Sequence, residues 1–390
     1  MGSASRPVRA LEAQARAPGL DALRAAAILW VMIYHAAGFG LVPGGSPFVD
    51  NGWMGVDLFF VLSGYLIGGQ MFRPAARGER IDLGRFYARR ALRTLPAFAV
   101  VTAIYFALPQ LREWKDIQPL WQFATFTENL FAVNRPPKAF SHVWSLCVEE
   151  QFYLVLPIAV LVLAARPRFW KGVVAGLALL LLGMTLRGAV WMHDLSPYYV
   201  HGVAKHGYVQ AYMEHIYLPT WMRMDGLLAG LTIAAVEVFR PALWRAAMSR
   251  PRALLIAGAT GLMAAFALFK TQFPALGPTI VGYPLLSASL GLILIAAASP
   301  DCPVLRRPVP ALRMIAAASY SLYLSHKLMM HWAAVRFGAN GENVRLLPAV
   351  CAALAVAVGG AGLYLLVEKP FLKLRNQLGA EKSPLAVAAE

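Results

Sequence analysis

Apolar residues along this chain are grouped into ten stretches of roughly membrane-spanning length, separated by polar connections. A helix needs about 20 mostly apolar residues to cross a bilayer. The pattern therefore predicts an all-α, polytopic integral membrane protein with about ten transmembrane helices. The predicted spans are residues 21–40, 53–71, 93–112, 143–165, 171–192, 216–236, 252–269, 280–298, 312–335 and 346–368. A further apolar stretch, residues 120–133, is short and polar in part, which indicates a re-entrant or interfacial segment.

Composition and charge agree with this class and give it an orientation. Hydrophobic residues make up 58% of the chain and charged residues 14%, against roughly 45–50% and about 25% in soluble proteins. The connections alternate in charge: the set that includes the N-terminal arm holds 22 of the 36 Lys and Arg, and the other set holds 7. The positive-inside rule then predicts that both termini are cytoplasmic. Because the net charge of +16 is spread over membrane loops, we expect the lipid bilayer and not nucleic acid as the partner of these charges.

The domain organisation expected from these patterns is simple. Residues 1–18 form a cytoplasmic N-terminal arm without the apolar core of a signal peptide, residues 19–375 form one transmembrane domain, and residues 376–390 form a disordered tail. Three cysteines suggest neither a disulfide framework nor a metal cluster. The histidines of the loop between spans five and six have spacings that match no compact ligand pattern, so no metal site is predicted. The tyrosines of that loop fit an interfacial belt or, alternatively, a carbohydrate platform.

Arg24 and His35 are the two ionisable residues that stand out in the first span. They are eleven residues apart, which brings them to nearly the same helix face about 16 Å apart along the axis. Ionisable groups deep in a membrane are costly and mark functional interiors by default. Arg24 alone could be a topology anchor at the cytoplasmic entrance, but its alignment with His35 favours a ligand-binding role.

Three other spans carry ionisable residues to a depth similar to that of His35. Counting from each predicted membrane surface at about 1.5 Å per residue places all of them in the outer half of the bilayer. Such a layer is typical of a buried proton-transfer site. Its members are Glu149, Glu150, Arg223, Asp225 and His326.

A second cluster is basic and lies on the predicted cytoplasmic side. Arg24 opens the first span, and Arg90 and Arg93 lie three residues apart, on neighbouring positions of one helix face, at the start of the third. Guanidinium groups bind phosphate oxygens in bidentate fashion. A ligand with phosphates at one end and a long neutral arm, as in coenzyme A, would reach from this cluster towards His35.

Several motifs, taken together and in order, resemble those of the integral-membrane acyltransferase-3 family over about residues 18–375. Arg24 and His35 match its arginine, ten residues, histidine signature, and Arg90 and Arg93 match its paired arginines. The other matching segments are Phe59-Phe60-Val61-Leu62-Ser63-Gly64, Trp144-Ser145-Leu146 followed by Glu149-Glu150-Gln151-Phe152-Tyr153, Arg223-Met224-Asp225-Gly226, Ser321-Leu322-Tyr323-Leu324-Ser325-His326 and Glu368-Lys369-Pro370-Phe371.

The chain departs from the family pattern in two places. Many members have a large residue such as Trp where this chain has Ser325, which bears on the role of His326. Some members continue into an extracytoplasmic hydrolase-like domain. This chain ends after its tenth predicted span, so we expect a protein without that domain that meets its acceptor directly.

The resemblance implies an O-acyltransferase that moves an acyl group, usually acetyl, from cytoplasmic acyl-CoA to a hydroxyl group. The acceptor would be a cell-envelope glycan, a lipid-linked sugar or a small metabolite, and no permanently bound cofactor is implied. His35 is then the expected general base, because imidazole titrates near neutrality. Glu149 or Glu150 would orient it or balance its charge. Arg24, Arg90 and Arg93 would bind the phosphates of the donor.

Other residues of the matching motifs have supporting or substrate-binding roles with alternatives left open. Ser63 is either an acyl-accepting nucleophile or, as we favour, a packing and hydrogen-bonding residue. Glu149 and Glu150 point about 100° apart, so one of them can face the site while the other pairs structurally. Asp57 can pair with a neighbouring cation or belong to the site. We expect Arg223 and Asp225 to neutralise each other in part, and we assign Tyr153 and His326 supporting roles.

A different class of protein also fits buried His, Glu and Arg on about ten spans. A proton-coupled secondary transporter of an anionic or sugar-like solute would use such groups as a proton relay. Many transporters have internal repeats, and no convincing repeat is found in this sequence. The acyltransferase is therefore the preferred hypothesis.

Overall fold

The computed structural model describes residues 18–131, 138–164, 169–270, 273–302, 304, 308–338 and 346–380. Within these ranges the chain is mostly helical, and each strand is two residues long. The helices are α1 (Pro18–Gly38), α2 (Pro47–Asp50), α3 (Met54–Ala76), α4 (Leu83–Ala107), α5 (Leu120–Ala124), α6 (Trp144–Ala164), α7 (Phe169–Val190), α8 (Tyr208–Tyr212), α9 (Asp225–Phe239), α10 (Pro241–Met248), α11 (Pro251–Leu268), α12 (Leu276–Ala298), α13 (Pro310–Phe337), α14 (Leu346–Leu363) and α15 (Lys369–Ala380).

The strands form two minimal pairs, one parallel and one antiparallel. Strand β1 (Asp116–Ile117) pairs with β2 (Lys138–Ala139), and β3 (Tyr199–Val200) pairs with β4 (Val203–Ala204). Single turns of 3₁₀ or π geometry join or end several helices. The 3₁₀ turns are Pro109–Leu111, Glu128–Leu130, Ser141–Val143, Ser196–Tyr198 and Thr220–Met222, and the π turns are Trp191–Leu195, Met213–Tyr217 and Tyr364–Glu368.

The number of membrane-spanning helices is close to the ten expected. Among the described residues, eight helices are long and apolar enough to cross a membrane, or nine if the bent pair of α9 and α10 is one span. The chain is therefore an all-α, multi-pass membrane protein, as predicted. The expected sixth span, residues 216–236, is wrong in its start, because the helix begins only at Asp225 and has 15 residues. The ninth span is present as α13, but its serines, tyrosines, histidines and Lys327 lower its mean hydropathy and keep it out of the apolar set.

Two segment predictions concern the ends of the chain. Helix α15 continues to Ala380, so residues 376–380 of the tail expected to be disordered are helical. The remaining residues of that tail, 381–390, and nearly all of the N-terminal arm lie outside the described residues.

The chain divides into two compact units. The first comprises Met1–His35, Gly44–Glu79 and Asp116–Ala317, and the second comprises Ala36–Pro43, Arg80–Lys115 and Ala318–Glu390.

In the first unit, glycines let helices approach until their backbones touch. Gly64 and Gly68 of α3 face Gly226 and Gly230 of α9, and each pair has the small-xxx-small spacing of close membrane helix contacts. A Cβ atom at Gly226 would lie 2.8 Å from Phe60 Cβ, and one at Gly230 would collide with the Val61 carbonyl. Helices α11 and α12 also pack closely, because Gly258 lies against the backbone of α12.

In the second unit, α4 packs against α15 and against the π turn Tyr364–Glu368. The Tyr320 hydroxyl donates to the Thr94 carbonyl at 2.9 Å, which ties α13 to α4. Gly359 and Gly360 of α14 lie against Met329 and Leu322 of α13. These contacts hold the arginine-rich start of α4 beside the end of the chain that the structure describes.

Candidate functional site

Helix α1 places Arg24 and His35 on one unbroken helix. Pro18 is at its first position and no proline interrupts it afterwards, so the axial separation of the two residues is about 16 Å. Arg24 Nη1 lies 4.0 Å from Asp21 Oδ1. The helix packs against the start of α3, where a Cβ atom at Gly55 would lie 2.6 Å from the Ala27 carbonyl oxygen. The close backbone contact fixes α1 against the motif that contains Ser63.

The His35 ring lies near a second imidazole, that of His142. The ring centroids are 6.4 Å apart with an interplanar angle of 60°. His142 is buried and lies in the 3₁₀ turn Ser141–Val143, directly before α6. The residue before this turn, Phe140, has a left-handed backbone (φ 61°) and packs between Phe123 and the His142 ring. A non-glycine residue in this conformation persists only where its surroundings hold it, and such positions cluster at functional sites.

Glu149 is held through both of its carboxylate oxygens. The Ser63 hydroxyl donates to Oε1 at 2.8 Å, and the Tyr153 hydroxyl donates to Oε2 at 3.0 Å. Tyr153 is one helical turn after Glu149, whereas Ser63 comes from α3. Both oxygens of Glu149 therefore accept a side-chain hydrogen bond, one from α3 and one from its own helix. Glu150 is half-buried on the adjacent helix position.

A side-chain network fixes α6 beside these glutamates. Gln151 Nε2 donates to the Phe126 carbonyl at 2.7 Å and to Asn129 Oδ1 at 3.0 Å. Thr220 Oγ1 donates to Gln151 Oε1 at 2.6 Å, and Asn129 Nδ2 donates to the Leu218 carbonyl at 3.1 Å. Hydrogen bonds thereby link residues 120–130 and the turn before α9 to Gln151 of α6.

Arg223 is buried in an ion pair with Asp57. Its Nη2 atom lies 2.9 Å and 3.0 Å from the two Asp57 oxygens. Its guanidinium carbon lies 5.1 Å, 4.4 Å and 4.5 Å from the ring centroids of Trp144, Tyr217 and Tyr283. Cation–π contacts of this kind strengthen in a desolvated setting. Arg223 therefore ties α3 to the first residue of α6.

Asp225 pairs with a different arginine, Arg187 of α7. Arg187 Nη1 lies 2.7 Å from Asp225 Oδ2, and Nη2 lies 2.9 Å from Oδ1, which is a bidentate pair. Arg187 Nη1 also donates to the Met222 carbonyl at 2.7 Å. The expectation that Arg223 and Asp225 neutralise each other is wrong, because the start of α9 turns them towards different helices. Asp57 pairs with Arg223, as expected if Asp57 neutralises a neighbouring cation.

The tyrosines between α7 and α9 do not all form the expected interfacial belt. Tyr208 and Tyr212 are fully buried, and the Trp191 indole donates to the Tyr208 hydroxyl at 2.9 Å. The Tyr208 hydroxyl donates in turn to the Pro274 carbonyl at 2.6 Å. Burial raises the pKa of each of these two tyrosines to about 12, so both stay protonated at neutral pH. They are core residues that connect the loop to α12.

In the second unit, Glu368 is the carboxylate that partners the paired arginines. Ser321 Oγ donates to Glu368 Oε2 at 2.6 Å, and Arg93 Nη1 lies 3.8 Å from Glu368 Oε1. Arg375 lies two helical turns after Glu368 and is within the electrostatic reach of Arg89, Arg90 and Arg93. Arg93 and Arg375 thus act on one buried carboxylate, and Arg89 and Arg90 add positive charge near Arg375. This excess of positive charge suits a ligand with several phosphate charges.

His326 also belongs to the second unit and is fully buried there. Its ring Nδ1 lies 2.7 Å from the Tyr323 carbonyl oxygen, to which it donates. The next residue, Lys327, forms an ion pair with Glu113 at 3.2 Å. Of the predicted outer-half layer, His35, Glu149, Glu150, Arg223 and Asp225 are in the first unit. Across the described part of the chain, no group of three or more His, Cys, Asp or Glu is arranged to hold a metal ion.

Comparison with known proteins places this geometry in a family. A family model described as an acyltransferase domain, acyltransferase-3, matches residues 18–366. The chain belongs to the acyltransferase-3 family. The match includes every residue predicted above to be catalytic, donor-binding or supporting, from Arg24 to His326.

Two relatives show how far the similarity of this acyltransferase extends. It is 31% identical over 328 residues to the peptidoglycan O-acetyltransferase OatA of Listeria monocytogenes, covering 79% of this chain and 48% of that protein. It is 29% identical over 335 residues to the O-acetyltransferase OatA of Staphylococcus aureus, covering 79% of this chain and 50% of that protein. The acyltransferase spans about half the length of the curated relatives it matches. No solved structure matches it.

Sequence reasoning about this acyltransferase missed four residues that the structure brings to the candidate sites. Arg187 could have been found, because an arginine inside an apolar span needs a partner. Glu368 was part of a recognised motif but had no assigned role. His142 and Arg375 carried no signal of their own, since their significance depends on which side chains lie beside them.

Proposed function

We propose that this acyltransferase transfers an acyl group, acetyl in the simplest case, from cytoplasmic acyl-CoA to a hydroxyl group of a cell-envelope glycan. The observation that carries the proposal is the unbroken helix α1, with Arg24 and His35 on one face about 16 Å apart. That spacing suits a donor whose phosphates and thioester are joined by a pantetheine arm. The family match and the two O-acetyltransferase relatives support the reaction class.

His35 is the proposed general base. It removes the proton from the acceptor hydroxyl as the oxygen attacks the thioester carbonyl carbon. The new C–O bond forms, the C–S bond breaks, and the thiolate of CoA takes up the proton. We favour this direct transfer over an acyl-enzyme in which Ser63 would carry the acyl group. Glu149 balances the charge of the imidazolium that forms.

The proposed donor-binding residues are the arginines. Arg24, Arg90 and Arg93 are assigned to the phosphates of acyl-CoA, and the charge gathered around Glu368 adds Arg375 to that set. Paired guanidinium groups recognise phosphate oxygens through bidentate, charge-assisted bonds. No metal or permanently bound cofactor is needed for this chemistry.

Supporting roles are proposed for the remaining motif residues. Ser63 and Tyr153 position Glu149 through the two hydrogen bonds described above. Arg223 and Asp225 position the start of α6 and of α9 through their ion pairs with Asp57 and Arg187. His326 is proposed to support the second unit, where the Tyr323 carbonyl holds its ring.

The acceptor is proposed from the relatives and from topology. The Listeria relative is named for peptidoglycan, which supports a glycan of the cell envelope over a lipid-linked sugar or a small metabolite. Cytoplasmic termini, proposed from the distribution of Lys and Arg, place His35 in the outer half of the membrane. An acceptor that approaches from outside then has the shorter path to the base.

Turnover by purified protein tests the proposal. Wild-type protein in detergent or liposomes is expected to move radiolabelled acetyl from acetyl-CoA to a soluble glycan fragment, and His35→Ala is expected to lose about 10²–10⁴-fold in kcat. His193→Ala, an exposed loop histidine, is the matched control. Near-normal turnover by His35→Ala would reject the general base. A wild type that consumes no acetyl-CoA but exchanges a solute across liposomes would identify a transporter instead. Mass spectra of envelope glycans from wild-type and deletion strains would identify the acceptor.

A further inference from the structure

We infer that His142 is a second proton-carrying residue of the acyl-transfer site and exchanges a proton with His35 during the reaction. The inference rests on the proposed function and deepens it. The family motifs and the family match assign no role to His142. The inference comes from the position of its ring beside His35.

The two imidazoles are close enough to act as a pair. Their centroids lie 6.4 Å apart, and the rings meet edge to face at 60°. Proton transfer needs a direct hydrogen bond or one bridging water, and at this ring separation the transfer runs through the water. Both rings belong to the first unit, where the contact of α1 with α3 fixes one of them and the turn before α6 fixes the other.

The protein holds His142 in position by an unusual local backbone. Phe140 adopts φ 61°, a conformation that L residues rarely take, and its ring stacks on Phe123 at 5.4 Å and lies 5.3 Å from the His142 ring. The Ser145 hydroxyl contacts the His142 carbonyl at 3.4 Å. Local strain of this kind is retained where it serves a site.

A second imidazole solves a geometric problem of the reaction. The proton leaves the acceptor oxygen on one side of the carbonyl carbon and must reach the departing sulfur on another. If His35 takes the hydroxyl proton, His142 can accept it and deliver a proton to the thiolate. One proton is removed and one is returned, so the pair ends in its starting state and no electrons change hands.

Substitutions at His142 separate this role from a structural one. We expect His142→Asn and His142→Phe to lower kcat at least 100-fold, with the KM for acetyl-CoA changed less than threefold. Because either substitution could loosen the turn, the rise in unfolding temperature on adding acetyl-CoA is measured for each. That rise is expected to stay at the wild-type value. His193→Phe is the matched control, since that ring is exposed.

Chemical rescue provides the decisive readout. Free imidazole is expected to raise the turnover rate of His142→Ala at least tenfold. The rate of His142→Phe, whose ring fills the same space, is expected to stay unchanged. A lost packing contact would not respond in this way. If wild type is active, two results would overturn this inference and leave the proposed function standing. One is a wild-type kcat in His142→Asn, and the other is a His142→Ala variant that free imidazole does not rescue. Wild type that does not turn over acetyl-CoA overturns the proposed function and this inference with it.

Discussion

At the scale of single residues, the clearest feature is that both carboxylate oxygens of Glu149 accept a side-chain hydrogen bond. Two adjacent glutamates on a helix differ only in direction, and direction becomes meaningful when neighbouring helices are in place. The donors are Ser63 on α3 and Tyr153 one turn further along α6. A carboxylate that accepts a bond on each oxygen has one fixed orientation. Such preorganisation is what charge stabilisation at a reacting group requires.

Removing one of these donors should lower the rate without removing the carboxylate. A hydrogen bond to a charged group contributes about 1.5–3 kcal/mol, and each 1.36 kcal/mol of barrier is about tenfold in rate. We therefore expect Tyr153→Phe and Ser63→Ala each to lower kcat about tenfold, and Glu149→Gln to lower it further. Initial rates at saturating acetyl-CoA measure this, with Tyr198→Phe as the exposed control. Wild-type rates in both donor variants, with a slow Glu149→Gln, would show that the donors do not position Glu149.

Residue pairing also marks the limit of what the sequence could predict. The ionisable residues of the spans were identified from their type and depth, because a charge in an apolar segment is visible in the chain itself. The residues with which they pair could not be identified from the sequence. Arg223 bonds Asp57 on α3, and Asp225 bonds Arg187 on α7, although the two are only two residues apart. Which carboxylate meets which guanidinium is decided by helix packing, which residue spacing along one helix does not determine.

At the scale of helices, the α3–α9 contact determines where these pairs lie. Lipid tails are as apolar as leucine, so helices associate in a membrane through close packing and polar contacts. Gly64, Gly68, Gly226 and Gly230 supply the close packing. Asp57 lies on α3 two helical turns before Gly64, and Arg223 lies three residues before Gly226. The glycine contact and the ion pair therefore reinforce each other along one interface.

Adding one methyl group to this interface should destabilise it. A Cβ atom at Gly230 would collide with the Val61 carbonyl and lie 2.6 Å from the Tyr65 amide nitrogen, so Gly230→Ala forces the backbones apart. Overpacking of this kind costs about 1–3 kcal/mol. Gly176→Ala on α7 is the matched control, because nothing lies within 4 Å of its new Cβ and alanine favours a helix. The midpoint of thermal unfolding in detergent should fall for Gly230→Ala and hold or rise for the control. Equal shifts would mean that the α3–α9 contact is not tight in the membrane protein.

Helix boundaries were predictable where the apolar pattern is continuous and failed where polar and apolar signals overlap. Helix α9 follows a proline, Pro219, and a 3₁₀ turn, so the apolar residues 216–222 are not part of it. Helix α13 lies where the sequence predicted it, but it carries buried polar groups, as Lys327 does in its ion pair with Glu113. Hydropathy averages over all faces of a helix. It therefore detects the lipid-facing helices better than those that carry buried polar groups.

At the scale of the whole molecule, the enzyme and transporter hypotheses differ in what the arginines are for. An enzyme that uses acyl-CoA must bind the phosphates of a large anion, whereas arginines that only anchor the protein need nothing but lipid and carboxylates. In the second unit Arg93 and Arg375 act on Glu368, and Arg89 and Arg90 lie within electrostatic reach of Arg375. This basic cluster is where the proposed donor, acyl-CoA, would place its phosphates.

A donor without phosphates distinguishes these uses of the arginines. We expect Arg90→Gln and Arg375→Gln each to raise the KM for acetyl-CoA about tenfold, because each loses a phosphate contact of about 1.5–3 kcal/mol, and to leave kcat/KM for S-acetylpantetheine unchanged. Arg80→Gln, an exposed arginine of the same unit, is the control. Equal losses with both donors would show that the arginines only stabilise the fold. Acetyl-CoA should also raise the unfolding temperature of wild type more than that of either variant, whereas S-acetylpantetheine should not separate them. A protein whose unfolding temperature acetyl-CoA does not shift, but which exchanges solute in liposomes, would be a transporter, since binding of the donor must precede any transfer from it.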